Sequence, residues 1–539
     1  MKKYLLALLF VAMFVWAGRL NITVTFSPAD LNFSEASGYD VITLNGAINT
    51  SVVGKPLLPL VNANVILPPG AEIKGVTIKS FETYDIPGEY YIHPVQTPRP
   101  LSIQNPPPFD SPDPIAYSSN TPYPAKVADV VPAGWMSGYR VGGVLVYPVQ
   151  YIPNEKKLIL YTRLELDIEY AEGITDIYPM TERQLKVFGE QVERIVLNSD
   201  QIKAFAPPQN KSFNNVDYVI ITSAALSSNF TPLKNWLTKK GYNTVIMSTD
   251  TINVRYTGRD LQEKIRNFII DYWRNRGLIW VLIGGDDVVV PVRFGYLTDP
   301  VHTTGSIPTD LYYADLQWSW DGNRNNQFGE FQGDTLDLFY DVFVGRCPND
   351  NATHIANFIR KDTIYEKRPP DTTYLKRILM PSEWLWSSIG YHGRICNRAL
   401  TAYFPAAWRR SRLDDPTGAQ IRDSLNIGYN FCHTVGHGSP QQVGVLTMDQ
   451  VQYLTNSTKL NIMNSIACDC GSFDAKECMA ETLINYQNGG CVADMLNSRY
   501  GWGAPPLMGS SEQLSLAFYR QLWQGASEVG RCHALAKDE

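Results

Sequence analysis

The first 346 residues contain no cysteine. All eight lie beyond that point: Cys347, Cys396, Cys432, Cys468, Cys470, Cys478, Cys491 and Cys532. This rules against a disulfide framework threaded through the whole chain, the usual device of small secreted domains. Buried thiols are the default reading for most of the eight. If one is a free nucleophile, seven remain, so at least one more is unpaired. The chain also lacks a basic block, which excludes the usual footprint of a nucleic-acid binder. It lacks a long acidic run, and its net charge is a mild −6. After the N-terminus no stretch reaches the roughly 18 consecutive apolar residues of a membrane span. No transmembrane segment is therefore expected once the N-terminal leader is removed.

That leader is the first feature present. Lys2 and Lys3 precede an apolar run from Tyr4 to Trp16, and Val15-Trp16-Ala17 resembles a cleavage site. Residues 1–17 read as a signal peptide, which predicts a protein secreted or held at the cell surface. Thirty tyrosines, 12 tryptophans and 35 prolines suit such a protein, with strands and stiff loops. At 539 residues, 44% hydrophobic and 19% charged, the chain is globular and too long for one core.

Three regions follow the leader. Residues 18–206 read as β-rich: "YDVITL", "NANVIL", "KGVTIK" and "LILYTRLELDIEY" alternate and are separated by Gly/Pro turns. A Pro-rich stretch from His93 to Pro132 is a long loop or extended arm, and no titratable cluster here carries chemistry. Residues 207–370 alternate buried-type strands with amphipathic helices, including Thr231 to Lys240 and Asp260 to Arg276. The alternation restarts at "LKRILMPSE" and fills 371–539. It predicts mostly parallel sheets covered by helices. The last residues, "ALAKDE", fall inside a helical pattern, so a longer parent protein is expected.

In such sheets functional groups collect beyond the carboxyl ends of strands. Glu383, His437 and Cys468 each sit where a predicted strand runs out. "YNFCHTVGHGS" puts His437 between Gly436 and Gly438, where the backbone can approach a ligand closely. A histidine held in such a turn is placed for proton transfer, whereas His433 lies inside the strand as a packed residue. "LNIMNSIACDCGSFD" is a strand running into Cys468, followed by a helix from Ala475 to Tyr486. A thiol at a strand end can be reached by substrate, and a nearby histidine favours its thiolate. Cys470 competes, since in an extended segment it shares the face of Cys468. A zinc site from Cys468, Cys470, His433 and His437 is a further alternative.

"GHGS", followed about 30 residues later by Ala-Cys-x-x-Gly-x-Phe, resembles the gingipain family of cysteine peptidases, of the caspase-like clan. "YVIIT", "LKNWLTKKGYNTVIMS", "RYTGRDLQEKIRNFIIDYW", "WVLIGGDD" and "DVFVGRCP" are similar to its first catalytic subdomain. Residues 18–206, with "KPLLPLVNANVILPPGAE", are similar to its N-terminal propeptide. The resemblance implies a caspase-like α/β fold of two subdomains behind a β-rich prodomain. It implies a zymogen acting on protein or peptide substrates, with its own propeptide as inhibitor. It makes Cys468 the nucleophile, His437 the acid/base, and the N–H groups of Gly438 and Cys468 the oxyanion hole. Glu383 falls where the family carries an acid close to the histidine. Arg-specific members carry a pocket aspartate about 11 residues beyond that glutamate. Here Ser387 to Arg398 holds no acid and supplies Arg394, so strict arginine specificity is not expected; Asp494 is an alternative pocket acid.

Catalysis by this dyad needs no cofactor. "WDGNRNNQFGEF" offers Asp321, Asn323, Asn325 and Glu330 as oxygens for a structural calcium ion, which the resemblance also favours. Two rival functions use the same fold: a sortase-like transpeptidase of the cell surface, and an inactive surface-binding module.

Overall fold

The computed structural model describes residues 17–538 except 104, 106–107, 174–176, 211–214, 299–302, 370–371 and 475–476. The leader expected at 1–17 therefore lies outside the described residues apart from Ala17. Among those described, no helix is long and apolar enough to cross a membrane.

The N-terminal region is built from antiparallel strands. Lys157–Glu172 pairs with Ala17–Thr25, Val149–Ile152 and Ala71–Ile86 in one sheet. A second sheet runs Ile48–Asn49, Pro59–Leu67, Tyr139–Val146, Ala128–Met136. Alternation decides which faces meet: Leu20, Ile22 and Val24 point inward from the first strand, against Leu164, Leu166 and Ile168. Val65, Leu67, Val144 and Val146 of the second sheet close the same core. The Pro-rich stretch is an arm with little regular structure of its own. It contains a two-residue strand, Arg99–Pro100, paired antiparallel with Trp502–Gly503, some 400 residues away.

Two parallel sheets follow, the α/β class expected from the sequence. The first runs Thr244–Ser248, Tyr218–Thr222, Trp280–Gly284, Phe343–Cys347. The second runs Arg409–Asp414, Arg377–Ser382, Phe431–Thr434, Asn461–Ser465, Cys491–Met495. Helices cover both. Leu261–Arg276 starts because Asp260 accepts from the Glu263 N–H at 2.8 Å, and stops at Gly277, whose φ of 78° suits glycine. Ile265, Phe268, Ile269 and Trp273 form its buried face, with Tyr272 packed at its margin. The helix expected from Ala475 is shorter, Met479–Asn485, and residues 475–476 fall outside the described set.

One core joins the three regions. Phe188, from the helix Glu182–Ile195 at the end of the N-terminal region, packs on Phe343 of the first parallel sheet at 5.9 Å. The Gln184 amide donates to the carbonyls of Trp273 and Leu278 at 3.1 and 3.2 Å, and the Ser137 hydroxyl donates to the Tyr340 carbonyl at 2.6 Å. The N-terminal region is thus docked by buried apolar surface and satisfied polar groups, not tethered loosely.

Candidate active site

Three adjacent parallel strands end on one edge of the second sheet: Arg377–Ser382, Phe431–Thr434 and Asn461–Ser465. Glu383, His437 and Cys468 follow them within three residues. The Glu383 N–H donates to the Val435 carbonyl at 3.0 Å, extending the pairing of the first two strands into the turn that carries His437.

The two glycines around His437 are explained by close approach. A Cβ on Gly436 would lie 2.8 Å from the Glu383 carboxyl group. A Cβ on Gly438 would lie 2.6 Å from the Cys468 carbonyl oxygen and 3.0 Å from its nitrogen. One glycine therefore admits the carboxylate and the other admits the backbone of the cysteine. The N–H groups of His437 and Val445 donate to Glu383. Burial pushes the pKa of this carboxyl group up, and these hydrogen bonds hold it back down in part. Glu383 thus grips the main chain of the histidine turn.

The two thiols diverge. Asp469 stands between them in the left-handed region, with φ 59°, so the segment turns instead of staying extended. The expectation that Cys468 and Cys470 share a face fails for this reason. Cys468 belongs to the apolar cluster that holds Leu101, Trp386 and Ile466. Cys470 lies in the cluster on the other side, with Cys432, Met463 and Cys491, where its thiol donates to the Ala467 carbonyl at 3.2 Å. His433 is fully buried, with Nδ1 2.7 Å from the Asn397 side-chain oxygen. Burial drives its pKa down to about 3. Among the described residues no three His, Cys, Asp or Glu side chains converge as a metal site: His433 is engaged by Asn397 and Tyr519, and Cys470 lies in the opposite cluster from Cys468. All eight cysteines are buried and unpaired.

The arm of the N-terminal region closes this site. The Leu101 N–H donates to the Gly501 carbonyl at 2.8 Å. The Leu101 carbonyl accepts from Nδ1 of His437 at 2.7 Å. Ser102 hydrogen-bonds the Cys468 sulfur through its N–H and its hydroxyl. The Trp386 indole N–H donates to the Ile103 carbonyl at 2.7 Å. The Gly501 N–H reaches the Cys468 sulfur at 3.2 Å. Burial under this segment pushes the thiol's pKa up, against the hydrogen bonds from Gly501 and Ser102. The Ile103 N–H returns to the Pro100 carbonyl at 3.1 Å, so the chain makes a tight turn at Leu101-Ser102. Sequence reasoning missed Leu101, Ser102, Trp386 and Gly501. The available signal was "TPRPLSI", an apolar pair inside an otherwise polar, Pro-rich arm.

The remaining predicted residues stand elsewhere. The guanidinium of Arg394 lies over the Trp384 ring, 5.2 Å from its centroid. Asp494 is on the edge strand beside Cys491 and Lys361, on the Cys470 side of the sheet, where burial lifts its pKa to about 7. Neither is drawn to Cys468 or Leu101. In the 320–331 loop, Asp321 is paired with Arg259. The amides of Asn323 and Asn325 donate to Glu330, so they present hydrogens to that carboxylate where a shared cation would need oxygens. This donor set does not fit a calcium ion: a guanidinium already meets the buried carboxylate. Asp334, which the sequence reading passed over, organises the loop by accepting from the N–H groups of Gly322, Gly329 and Glu330.

Comparison with known proteins gives the chain its place. The model of peptidase family C25 matches residues 211–539, and that of the C25 propeptide matches 19–186. Lys-gingipain W83 of Porphyromonas gingivalis is 22% identical over 502 residues, covering 88% of this chain and 27% of that protein. Gingipain R1 of the same organism is 22% identical over 520 residues, covering 91% of this chain and 48% of that protein. The chain therefore spans about a quarter to a half of the length of these relatives. Among solved structures, the Arg-specific cysteine proteinase gingipain R is 18% identical, with 61% of this chain and 72% of that chain covered at a TM-score of 0.47. The complex of Porphyromonas gingivalis RgpB pro- and mature domains is 19% identical, with 59% and 73% covered at a TM-score of 0.47. The family model extends over more than half of the residues and contains both the histidine turn and the cysteine turn: the chain belongs to peptidase family C25 and carries that family's propeptide ahead of its catalytic region.

Proposed function

We propose that the chain is the latent form of a cysteine endopeptidase, with Cys468 as nucleophile and His437 as general acid and base. The observation that carries this reading is the seating of Leu101-Ser102: one short segment occupies the imidazole and the thiol together. In the uncovered enzyme the Cys468 proton passes to His437, and sulfur attacks the carbonyl carbon of the scissile bond. The oxyanion forms beside the adjoining backbones of Gly438 and Cys468, whose N–H groups are the proposed donors. His437 then protonates the leaving amine as the C–N bond breaks. Water, deprotonated by His437, hydrolyses the thioester and restores the thiol. Glu383 acts by holding the turn that carries His437. Protein or peptide chains are the substrates, and no metal enters the chemistry.

The arm resists cleavage because it is held in a turn. An extended substrate presents its carbonyl to the sulfur, whereas the Leu101 carbonyl is bonded to the imidazole. Removal of the N-terminal region opens the site. Export through the N-terminal leader to the exterior or the cell surface is part of the same proposal, supported by the charge and hydropathy pattern of residues 1–17.

Turnover of a mixed peptide library before and after limited proteolysis of the full chain tests the reading. Activity is expected after trimming and absent in trimmed Cys468→Ala. Equal turnover before and after trimming removes the latent role of the arm.

A further inference from the structure

Resting on that peptidase reading, we infer that the pocket for the residue preceding the scissile bond is apolar and takes a leucine-sized side chain, not a basic one. The arm enters the cleft as substrates of sheet-edge peptidases do, by adding a strand. Pro100 and Arg99 pair antiparallel with Trp502 and Gly503, and the Leu101 N–H continues the pairing at Gly501. The residue whose carbonyl reaches the dyad is Leu101, and the next residue, Ser102, meets the sulfur. Leu101 is thus the last residue of the added strand before the sulfur: its carbonyl is turned to the imidazole, but its side chain fills the place that the strand pairing gives to a substrate's residue before the cut.

Its side chain is completely buried, at 0% exposure. A Cβ on Gly503 would lie 3.0 Å from the Leu101 Cδ2 and 2.8 Å from the Trp386 ring. The absence of a side chain at Gly503 thus makes room for both groups, and the indole forms a wall. Tyr391 backs that indole at 5.7 Å between ring centroids. Trp386 is itself 1% exposed, and its N–H is engaged by the arm, so the wall is fixed in place. Among the described residues, the polar partners of the Leu101–Ile103 segment are backbone groups, His437, Cys468 and the Trp386 indole. None is a carboxylate. The buried carboxylate behind that wall, Glu512, is already engaged by the Tyr391 hydroxyl and the Gly509 N–H, so a guanidinium or ammonium placed beside Leu101 gains an opposite charge only by disrupting those bonds, and its burial is strongly unfavourable. A leucine or methionine loses only water contacts that apolar groups shed readily. Arg99, two residues earlier, belongs to the paired strand and occupies a different position.

Two measurements on the full chain test the inference. In the first, the chain is trimmed and offered coumarin-amide peptides that differ only in the last residue: Leu, Met, Phe, Glu, Lys or Arg. The expected kcat/KM for leucine exceeds that for arginine and lysine by about a hundredfold or more. Preference for arginine or lysine overturns the apolar pocket and leaves the peptidase reading standing. In the second, untrimmed wild-type, Leu101→Met and Leu101→Arg chains are treated with iodoacetamide, and modification of Cys468 is followed by mass spectrometry. Leu101→Met is expected to stay as protected as wild type, and Leu101→Arg to react at least about tenfold faster. Equal protection by arginine overturns the inference whether or not the trimmed chain turns over. Failure to cleave any peptide, with Leu101→Arg deprotected as expected, rejects the peptidase reading and supports the pocket.

Discussion

The carbonyl oxygen of Leu101 accepts a hydrogen bond from Nδ1 of His437 at 2.7 Å. A carbonyl has no proton to give, so the contact fixes the imidazole proton on Nδ1. The same segment covers the thiol of Cys468, which is 0% exposed and whose pKa is pushed up by that burial. Trimming the N-terminal region is expected to speed alkylation of Cys468 at pH 7 by at least about tenfold, because it removes both the cover over the sulfur and the burial that disfavours the thiolate. An unchanged rate means that the arm does not seal the site.

The turn at Asp469 separates the two neighbouring cysteines. Trimmed Cys468→Ala should lose at least about a thousandfold in kcat, as expected when a nucleophile is removed. Cys470→Ala, on the other face, should keep most of the activity and cost on the order of 1 kcal/mol of stability for a small cavity. A folded but inactive Cys470→Ala beside an active Cys468→Ala reverses the assignment. Cys468→Ala and His437→Ala should not add, because the two act as one unit.

Glu383 holds the histidine turn through the N–H groups of His437 and Val445. Glu383→Gln keeps the size but gives up charge and one acceptor oxygen. We expect kcat to fall by about tenfold with KM nearly unchanged, since displacing a catalytic group affects the transition state more than binding. A rise in KM with unchanged kcat places the carboxylate in substrate binding instead.

His433 is buried neutral, with a pKa of about 3 against an ordinary value near 6.5. The unfolded chain binds a proton to this histidine as pH falls below about 6.5, and the folded chain does not until about 3. Stability from this group is therefore full above pH 6.5 and is lost progressively down to about 3, by several kcal/mol at most. His433→Asn should flatten the fall of melting temperature over that window, even if it lowers stability at neutral pH. An acid-denaturation profile that keeps its slope in the variant assigns the loss to other groups.

Arg259 meets the buried Asp321 carboxylate. Asp321→Ala leaves that arginine only the exposed pairing with Glu263 and removes the buried acceptor of the Asn326 N–H; it should lower the melting temperature by a few degrees, about 1 to 3 kcal/mol. EGTA should leave the wild-type melting curve in place. A fall with EGTA that calcium reverses restores the metal reading of the 320–331 loop and requires Arg259 to move aside.

By itself the sequence determined the order of local structure. Period-2 alternation gave the β-rich N-terminal region, because successive side chains on a strand face opposite ways. Helical spacing gave a helix from Asp260 to Arg276, where the structure has Leu261–Arg276 with Asp260 as its cap. Strand ends marked Glu383, His437 and Cys468, because parallel strands deliver their following loops to one edge. The tertiary structure alone decided what those loops meet. That Gly436 makes room for Glu383 and Gly438 for the Cys468 backbone depends on packing between strands about 30 to 50 residues apart. That Cys470 turns away depends on one left-handed residue, Asp469; aspartate tolerates that conformation but does not require it, so the turn is decided by what the loop packs against. Arg394 and Asp494 fell near the site along the chain, but stacking on Trp384 and the opposite face of the sheet hold them elsewhere. Leu101 lies more than 330 residues from His437 along the chain. No local pattern encodes that contact, because it exists only once the arm has docked on the cleft and buried its leucine beside Trp386.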